Sequence, residues 1–283
     1  MTTLTNKIDF AVIIKVCNAN PNGDPLGGNR PRTTSDGLGE ISDVCLKRKI
    51  RNRLQANGKN IFVQMDELAD DGAKSLTDRF SKFTKTLPKE DAKDKSAVAK
   101  KVCANWIDVR AFGQVFAFKS NAKNDKGGDV DGVSIGVRGP VTIQSAFSVE
   151  PITTESIQIT KSVNSETTAD GKKSSDTMGS KHRVNKGVYV AYGSISPQLA
   201  DRTGFSDQDA VDIQQAIKTL FEGDESSARP SGSMEVVKLI WWQHNTKSGQ
   251  YSSAKVHRSL TVDKDGEYTI TPLSGITPQQ IDC

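Results

Sequence analysis

A long irregular loop that runs directly into a basic helix is the feature of this sequence that most limits its possible folds. The loop, residues 17–39, is rich in Gly, Pro and Asn. It follows an apolar, β-branched segment at residues 8–16, which predicts a buried strand. Loops longer than about 12–15 residues are uncommon inside compact domains and are usually functional or disordered. Ser42 is a favourable N-cap, so we expect the helix to begin there.

The excess positive charge of the chain is concentrated in this loop and helix. From Arg30 to Arg53 there are seven Lys or Arg and three acidic residues, a net charge of +4. The whole chain of 283 residues has 38 Lys or Arg and 34 Asp or Glu, which is also a net charge of +4. A basic cluster beside exposed backbone amides at a helix N-terminus commonly holds a phosphate chain, so we expect phosphate binding here. The alternative is an ordinary solvated basic face.

The predicted helix has two different faces. At 100° per residue, Leu46, Ile50 and Leu54 lie on one face, which we expect to pack against a sheet. Lys49 and Arg53 flank this apolar stripe. The residues expected to offer positive charge to solvent from the opposite arc are Lys47, Arg48 and Arg51.

The rest of the chain predicts an α+β fold. Strand patterns occur at residues 137–149, 156–163, 187–195 and after 234. A second helix, capped by Ser206, is predicted at residues 207–221. We interpret residues 60–110 as containing a small helical insertion, residues 119–131 as a polar loop and residues 164–179 as the mobile tip of a β-hairpin arm. Trp241 and Trp242 are adjacent on a strand and point to opposite faces, so at least one is core. The order strand, helix, strands, helix, strand is that of the ferredoxin-like fold, which RNA-recognition domains also use.

Composition excludes several classes of protein. The hydrophobic content of 35% and charged content of 25% are typical of a polar globular chain rather than a disordered one. The four cysteines form no C-x-x-C pair, and neither a signal peptide nor an apolar run near 18 residues is present. We therefore expect a reduced, cytoplasmic protein without membrane association. The three histidines are too scattered for a zinc site, and we expect no metal and no cofactor.

Other motifs are weak indicators of chemistry. Residues 27–29 lack the G-x-G-x-x-G and Walker patterns of nucleotide-binding loops. Asp24 and Asp36 could hold a divalent metal for RNA cleavage, but Asp beside Gly is more often simple turn chemistry. His182 and Arg183 lie at the root of the arm, and the sequence does not indicate a carboxylate that would pair with them. We interpret them as phosphate contacts or structural hydrogen bonds rather than as an acid–base pair.

Five segments, in order, resemble the Csd/Csh-type backbone subunit of CRISPR Cascade complexes and are most like its type I-C member. This subunit belongs to the repeat-associated mysterious protein (RAMP) superfamily, and the resemblance covers nearly the whole chain. The segments are N-A-N-P-N-G-D-P at 18–25, S-D-V-C-L-K-R-K-I-R at 42–51, D-V-R-A-F-G at 108–113, V-R-G-P-V-T-I-Q-S-A-F-S-V-E-P-I at 137–152 and M-G-S-K-H-R-V-N-K-G-V-Y at 178–189.

The resemblance implies an RRM-like palm, a helical finger insertion and a β-hairpin thumb. The palm corresponds to residues 1–58, 132–152 and 186–283, the fingers to 59–131 and the thumb to 153–185. Several copies are then expected to assemble head-to-tail along a CRISPR RNA (crRNA), hold its phosphates and present its bases to target DNA. The other implied partners are the large subunit and the pre-crRNA-processing subunit of Cascade.

The predicted site is an RNA-binding surface without catalytic residues. The basic positions of the family's first helix match Lys47, Arg48 and Arg51. The predicted RNA-binding residues are Asn20, Asn22, Arg30, Arg32, Ser42, Lys47, Arg48, Arg51, Lys181, His182 and Arg183. RNA-targeting relatives cut RNA with an Asp of the same loop, but this sequence follows the DNA-targeting pattern. Two alternatives stay open: a metal-dependent ribonuclease acting through Asp24 or Asp36, and a stand-alone nucleic-acid-binding regulator.

Overall fold

The fold combines helices with one large antiparallel sheet, in agreement with the predicted α+β class. A computed structural model describes residues 2–118, 133–160 and 178–283. The strands are β1 (Ile8–Ala19), β2 (Gly23–Asp24), β3 (Arg30–Pro31), β4 (Leu38–Ile41), β5 (Gly113–Phe118), β6 (Val133–Arg138), β7 (Val141–Ile143), β8 (Ala146–Pro151), β9 (Thr154–Thr160), β10 (Met178–Ile195), β11 (Met234–Gln243), β12 (Leu260–Val262), β13 (Tyr268–Ile270) and β14 (Gln279–Asp282). The helices are α1 (Asp43–Ala56), α2 (Leu76–Thr86), α3 (Lys89–Lys93), α4 (Lys95–Asn105), α5 (Ile107–Phe112), α6 (Pro197–Thr203), α7 (Asp207–Lys218) and α8 (Ser253–His257), with a 3-10 helix at Asp66–Leu68.

Strand β1 lies inside the main sheet because both of its faces are apolar. It pairs antiparallel with β10 on one side and with β11 on the other. The strand order is β14-β11-β1-β10-β8-β4, and β7 and β9 also pair with β10. Residues 8–14 of β1 are all buried. A strand covered on both faces has a continuous apolar run, which is the pattern that predicted it.

Helices cover one face of the sheet, and C-terminal elements cover the other. On the first face, Phe10 stacks on Trp241 with 5.4 Å between ring centroids, in the core that includes the apolar stripes of α1 and α7. On the second face, Trp242 packs with Val256 of α8 and Leu260 of β12. Both tryptophans are buried, so the prediction that at least one is core is confirmed.

The insertion after α1 has a core of its own. Phe62 lies at its centre, 5.1 Å from Phe116 and 4.8 Å from Trp106 between ring centroids. Ile135 of β6 belongs to the same core, because β6 pairs with β5 rather than with the main sheet. Residues 133–138 therefore pack with the insertion, which differs from the predicted boundary at residue 132. The polar loop predicted before that boundary lies outside the described residues.

Strand β10 is shared between the sheet and a hairpin. Residues 184–195 include its partners in β1, and residues 178–184 pair with β9. The predicted arm therefore has a paired stem that continues into the sheet without a break in the strand. Of the predicted mobile tip, residues 164–177 lie outside the described residues.

Two predicted boundaries differ from the observed ones. Helix α7 ends at Lys218, three residues before the predicted end, because Thr219 leaves helical geometry. The predicted strand at 137–149 is divided among β6, β7 and β8. Gly139 lies at the first break, where an added Cβ would be only 2.2 Å from the carbonyl oxygen of Ala111. Across the described ranges, none of the helices is both long and apolar enough to cross a membrane.

Candidate nucleic-acid interface

The loop between β1 and α1 is held together by its own hydrogen bonds. Strands β2 and β3 pair within it, and the amides of Gly27 and Asn29 both donate to the carbonyl oxygen of Asp24, at 3.1 and 2.8 Å. Gly28 and Asn29 close this turn with positive φ angles of 67° and 61°, which Gly and Asn adopt more readily than other residues. Leu26 lies at the tip and is 99% exposed. The loop is therefore a defined structure despite its length.

Asn20 and Asn22, predicted to bind RNA, connect the loop to the rest of the protein. Asn20 is buried and donates from Nδ2 to the carbonyl oxygen of Asn29 at 2.7 Å. Asn22 Oδ1 accepts two hydrogen bonds from Ser42, one from the backbone N–H at 2.9 Å and one from the hydroxyl at 2.8 Å. These side chains therefore position the loop against the start of α1.

The N-terminus of α1 is capped by side chains of the protein itself. Ser42 is the N-cap as predicted, and its Oγ accepts from the Cys45 N–H at 3.3 Å. The Asp43 N–H donates to Ser145 Oγ at 3.3 Å, and the Ser42 N–H donates to Asn22. We expected exposed amides here for a phosphate. That expectation is wrong for these three amides, because each already has an acceptor within the chain.

Arg51, predicted to face solvent, forms an internal ion pair instead. Its Nε donates to the buried carboxylate of Asp108 at 3.0 Å, and its guanidinium lies 5.1 Å from the ring centroid of Phe112. Asp108 also accepts the backbone N–H groups of Phe62 and Val63, at 2.8 and 3.0 Å. Arg51 therefore links α1 to the insertion. Helix periodicity could not show this, because the partner is 57 residues away.

Lys49 and Arg53 are also paired within the protein. Lys49 is buried and forms an ion pair with Asp224, which also accepts from Arg229 Nε at 2.8 Å. Burial lowers the pKa of Lys49 from its ordinary value, and the charge of Asp224 opposes this shift. Arg53 donates to Thr219 Oγ1 at 3.1 Å. Both cations hold α1 against the segment that follows α7.

Other cations of the cluster are free to meet an external anion. Arg30 and Arg48 are exposed, and neither side chain has an ion-pair or hydrogen-bond partner in the described parts of the chain. Lys47 pairs with Asp43 at 2.9 Å, one helical turn away, but stays 27% exposed. Arg32 is 3.8 Å from Asp24. Surface pairs of this kind contribute at most about 1 kcal/mol, so they exchange readily for a phosphate.

The root of the β9–β10 hairpin carries the second predicted group. Strand β3 lies against β10, so this root is close to the loop. Arg183 donates twice to Glu155 Oε2, at 2.9 and 3.1 Å, and this pairing holds the pKa of Glu155 below its usual range. His182 Nδ1 is 2.8 Å from Ser156 Oγ. Lys181 has no such partner within the described ranges. Of these three, Lys181 is the most available cation.

The two aspartates considered for catalysis lie in turns. Asp24 Oδ1 accepts the Leu26 N–H at 3.2 Å, and Asp36 Oδ1 accepts from Ser35 Oγ at 2.8 Å. Within the described residues, no group of three or more His, Cys, Asp or Glu side chains is placed to hold a metal ion. Both carboxylates therefore serve the local turn geometry of the loop.

Sequence reasoning missed the residues that pair with the basic helix. Asp108 is a carboxylate inside an otherwise apolar segment, and that pattern is a usable signal, because buried carboxylates require partners. Asp224 lies in an ordinary polar turn and has no comparable signal. The sequence predicted where the positive charge lies, but not which cations are already paired.

Comparisons with known proteins agree on one family. The sequence profile of the family described as CRISPR-associated protein Cas7 matches residues 6–282. A curated relative, CRISPR-associated protein Cas7 of Haloferax volcanii, is 27% identical over 215 residues, which cover 74% of this chain and 62% of the relative. The match therefore spans less than two thirds of that relative's length.

Two solved structures align with this chain at TM-scores below 0.5. One, described as a "CRISPR RNA-guided surveillance complex, pre-nicking", has a TM-score of 0.46 and 12% identity, covering 83% of this chain and 78% of the solved chain. The other, described as a "CRISPR RNA-guided surveillance complex", has a TM-score of 0.48 and 15% identity, covering 92% of this chain and 77% of the solved chain.

Proposed function

Because the chain belongs to the CRISPR-associated Cas7 family, we propose that it is a backbone subunit of a CRISPR RNA-guided surveillance complex, of the type I-C Cascade subtype. Several copies line up head-to-tail along a crRNA and hold its phosphates. The bases are then free to pair with target DNA, so sequence is read by base pairing and the protein reads the shape of the backbone. The large subunit and the pre-crRNA-processing subunit complete the assembly.

The observation that carries this proposal is the division of the basic cluster into paired and unpaired cations. Lys49 and Arg51 are used inside the protein. Arg30, Arg48 and Lys181 are unpaired within the described parts of the chain and come from the loop, the helix and the hairpin root. Free cations with no fixed carboxylate favour contacts with phosphates, which position a nucleic acid without reading its sequence.

The order of elements supports an RRM-like palm. Helix α1 follows β1 and α7 follows β10, and β1 lies between β11 and β10 in the sheet. This is the arrangement of a split βαβ fold. The separate core around Phe62, Val102 and Phe116 supports the assignment of the insertion as the fingers. The β9–β10 hairpin corresponds to the thumb.

The proposed role is structural rather than catalytic. The contacts of Asp24 and Asp36 within their turns favour a scaffold over a ribonuclease. If the ribonuclease alternative is right, the protein cleaves RNA in the presence of magnesium, and Asp36→Ala or Asp24→Ala abolishes the cleavage. Intact RNA with and without magnesium is the result expected for a scaffold.

The mass of the complex as a function of RNA length tests the assembly directly. A head-to-tail contact does not close on itself, so copies are added as long as RNA is available. We expect the mass to rise in equal steps as a single-stranded RNA is lengthened by fixed increments, measured by native mass spectrometry. A constant mass at every RNA length contradicts the scaffold and favours the stand-alone regulator.

A further inference from the structure

An apolar groove on the surface of the insertion has no partner in the described structure. Its volume is about 430 Å³, and it lies between the C-terminal half of α2, α3, the start of α4 and β6. Phe80, Val98 and Ile135 form part of its floor, and all three are buried. The floor therefore belongs to the finger core.

Lysines surround this groove, and their side chains are unpaired within the described ranges. The lining lysines are Lys85, Lys89, Lys93 and Lys95. None of the four has an ion-pair or hydrogen-bond partner in the described ranges. Two of the three nearby acids have other partners: Asp91 is 3.5 Å from Lys101, and Asp94 caps α4 through the Ser96 N–H. The third, Glu90, is exposed. An apolar floor with a positive rim fits a segment that has an apolar side chain among carboxylates.

The chain itself carries such a segment at residues 66–71. Its sequence is D-E-L-A-D-D, all six residues are exposed, and Leu68 is 44% exposed. Asp66 and Glu67 have no side-chain partner in the described parts of the chain. An exposed Leu flanked by four carboxylates is the complement of an apolar groove flanked by four lysines.

This segment is fixed away from the groove of its own chain. Asp71 accepts hydrogen bonds from Arg79, and the carbonyl oxygen of Leu68 accepts from Gln55 of α1 at 2.6 Å. Arg79 and Lys85 are six residues apart on α2, which is about 9 Å along the axis. The segment is therefore held at one end of α2, and the groove opens at the other.

We propose that residues 66–71 of one copy bind the lysine-rimmed groove of the next copy. The inference rests on the proposed function, because it supplies one of the contacts that a backbone of repeated subunits needs. The two surfaces differ, so the contact is heterologous and propagates in one direction along the RNA. Leu68 enters the groove, and Asp66 and Glu67 meet the lysines.

A charge-swap experiment tests the contact. Lys85→Glu with Lys89→Glu reverses the charge at two of the four rim lysines, and Asp66→Lys with Glu67→Lys reverses it at the two unpaired acids of the segment. Each pair of substitutions alone is expected to remove the stepwise rise of mass with RNA length, because like charges then face each other. The chain that carries all four substitutions is expected to recover the steps. Circular dichroism and the midpoint of thermal unfolding confirm that each variant is folded.

Two outcomes overturn the proposal. In the first, the variant with the two Lys→Glu substitutions or the variant with the two acids changed to Lys assembles like the parent protein. In the second, all three variants are folded, but neither the two double variants nor the fourfold variant shows the stepwise rise of mass.

Binding to a short RNA that holds one copy separates this contact from the proposed function. We expect the affinity of the double variants for this RNA to stay within twofold of that of the parent. A parent protein that binds no RNA refutes the proposed function instead, and the contact is then tested by RNA-free sedimentation at high protein concentration.

Discussion

At the scale of single residues, the basic cluster consists of side chains with two different tasks. Arg51 and Lys49 each have a carboxylate partner, Asp108 or Asp224, that is mostly or wholly buried. Arg30 and Arg48 have no partner in the described ranges and face solvent. Residues of the same type, a few positions apart, should therefore respond to substitution in opposite ways.

Removing the free arginines should weaken RNA binding without affecting stability. For Arg30→Ala with Arg48→Ala, we expect the negative slope of log affinity against log salt to become shallower by about 1.4. Each phosphate contact on a single strand contributes about 0.7 to the magnitude of this slope. The free energy of unfolding should change by less than about 0.5 kcal/mol, because both side chains are on the surface. Filter binding between 50 and 300 mM salt, roughly, and urea unfolding measure the two quantities. Arg202→Ala, an exposed arginine on α6, is the matched control.

Arg51→Ala should show the reverse pattern. It leaves the carboxylate of Asp108 buried without its counter-charge, which typically costs about 3 kcal/mol or more. The slope of RNA affinity against salt should stay unchanged, since the side chain is already paired. A flattened slope with unchanged stability would show that Arg51 leaves Asp108 to contact RNA, as helix periodicity alone suggested.

At the scale of elements, the sequence was informative wherever the cause of a structure is local. Ser42 and Ser206 cap α1 and α7 as predicted, because a cap depends on residues within one turn. The pairing of β5 with β6 and the ion pair of Arg51 were not predicted. They depend on contacts between segments far apart in the chain, and periodicity carries no information about such contacts.

Asn22 is the residue through which the loop is attached to α1. Asn22→Ala removes the acceptor of two hydrogen bonds from Ser42, so we expect the free energy of unfolding to fall by about 1–2 kcal/mol. RNA affinity should fall because the loop that carries Arg30 is less well positioned. The salt slope should stay the same, since no cation is removed. Asn60→Ala, an exposed Asn, is the control, and a changed slope would mean that Asn22 also orders a phosphate contact.

At the scale of the whole molecule, two cores meet at helix α5, which has buried residues in both of them. The finger core is separate from the core between the sheet and helices α1 and α7. Asp108 connects them through Arg51 and the amides of Phe62 and Val63. Of the described residues of the insertion, only Ile61, Ile107 and Ala111 are buried in the core of the sheet. The fingers should therefore open as a unit of their own.

Hydrogen exchange can show this independence. Val102→Ala, at a fully buried position of α4, creates a cavity in the finger core that costs about 2 kcal/mol. We expect amides of α2 and α4 to exchange faster by roughly 30-fold, the factor that corresponds to this free energy. Amides of α7 should keep the rates of the parent protein. Equal acceleration in both regions would mean that the molecule opens only as a whole.

The continuity of β10 has a mechanical consequence. Its 18 residues span about 60 Å if fully extended, and no loop separates the part paired with β9 from the part paired with β1. A force applied to the hairpin along the strand therefore loads the hydrogen bonds between β10 and β1 in shear, all at the same time. In unzipping, by contrast, these bonds break one after another. Force applied at one end of this strand reaches the middle of the sheet without passing through a hinge.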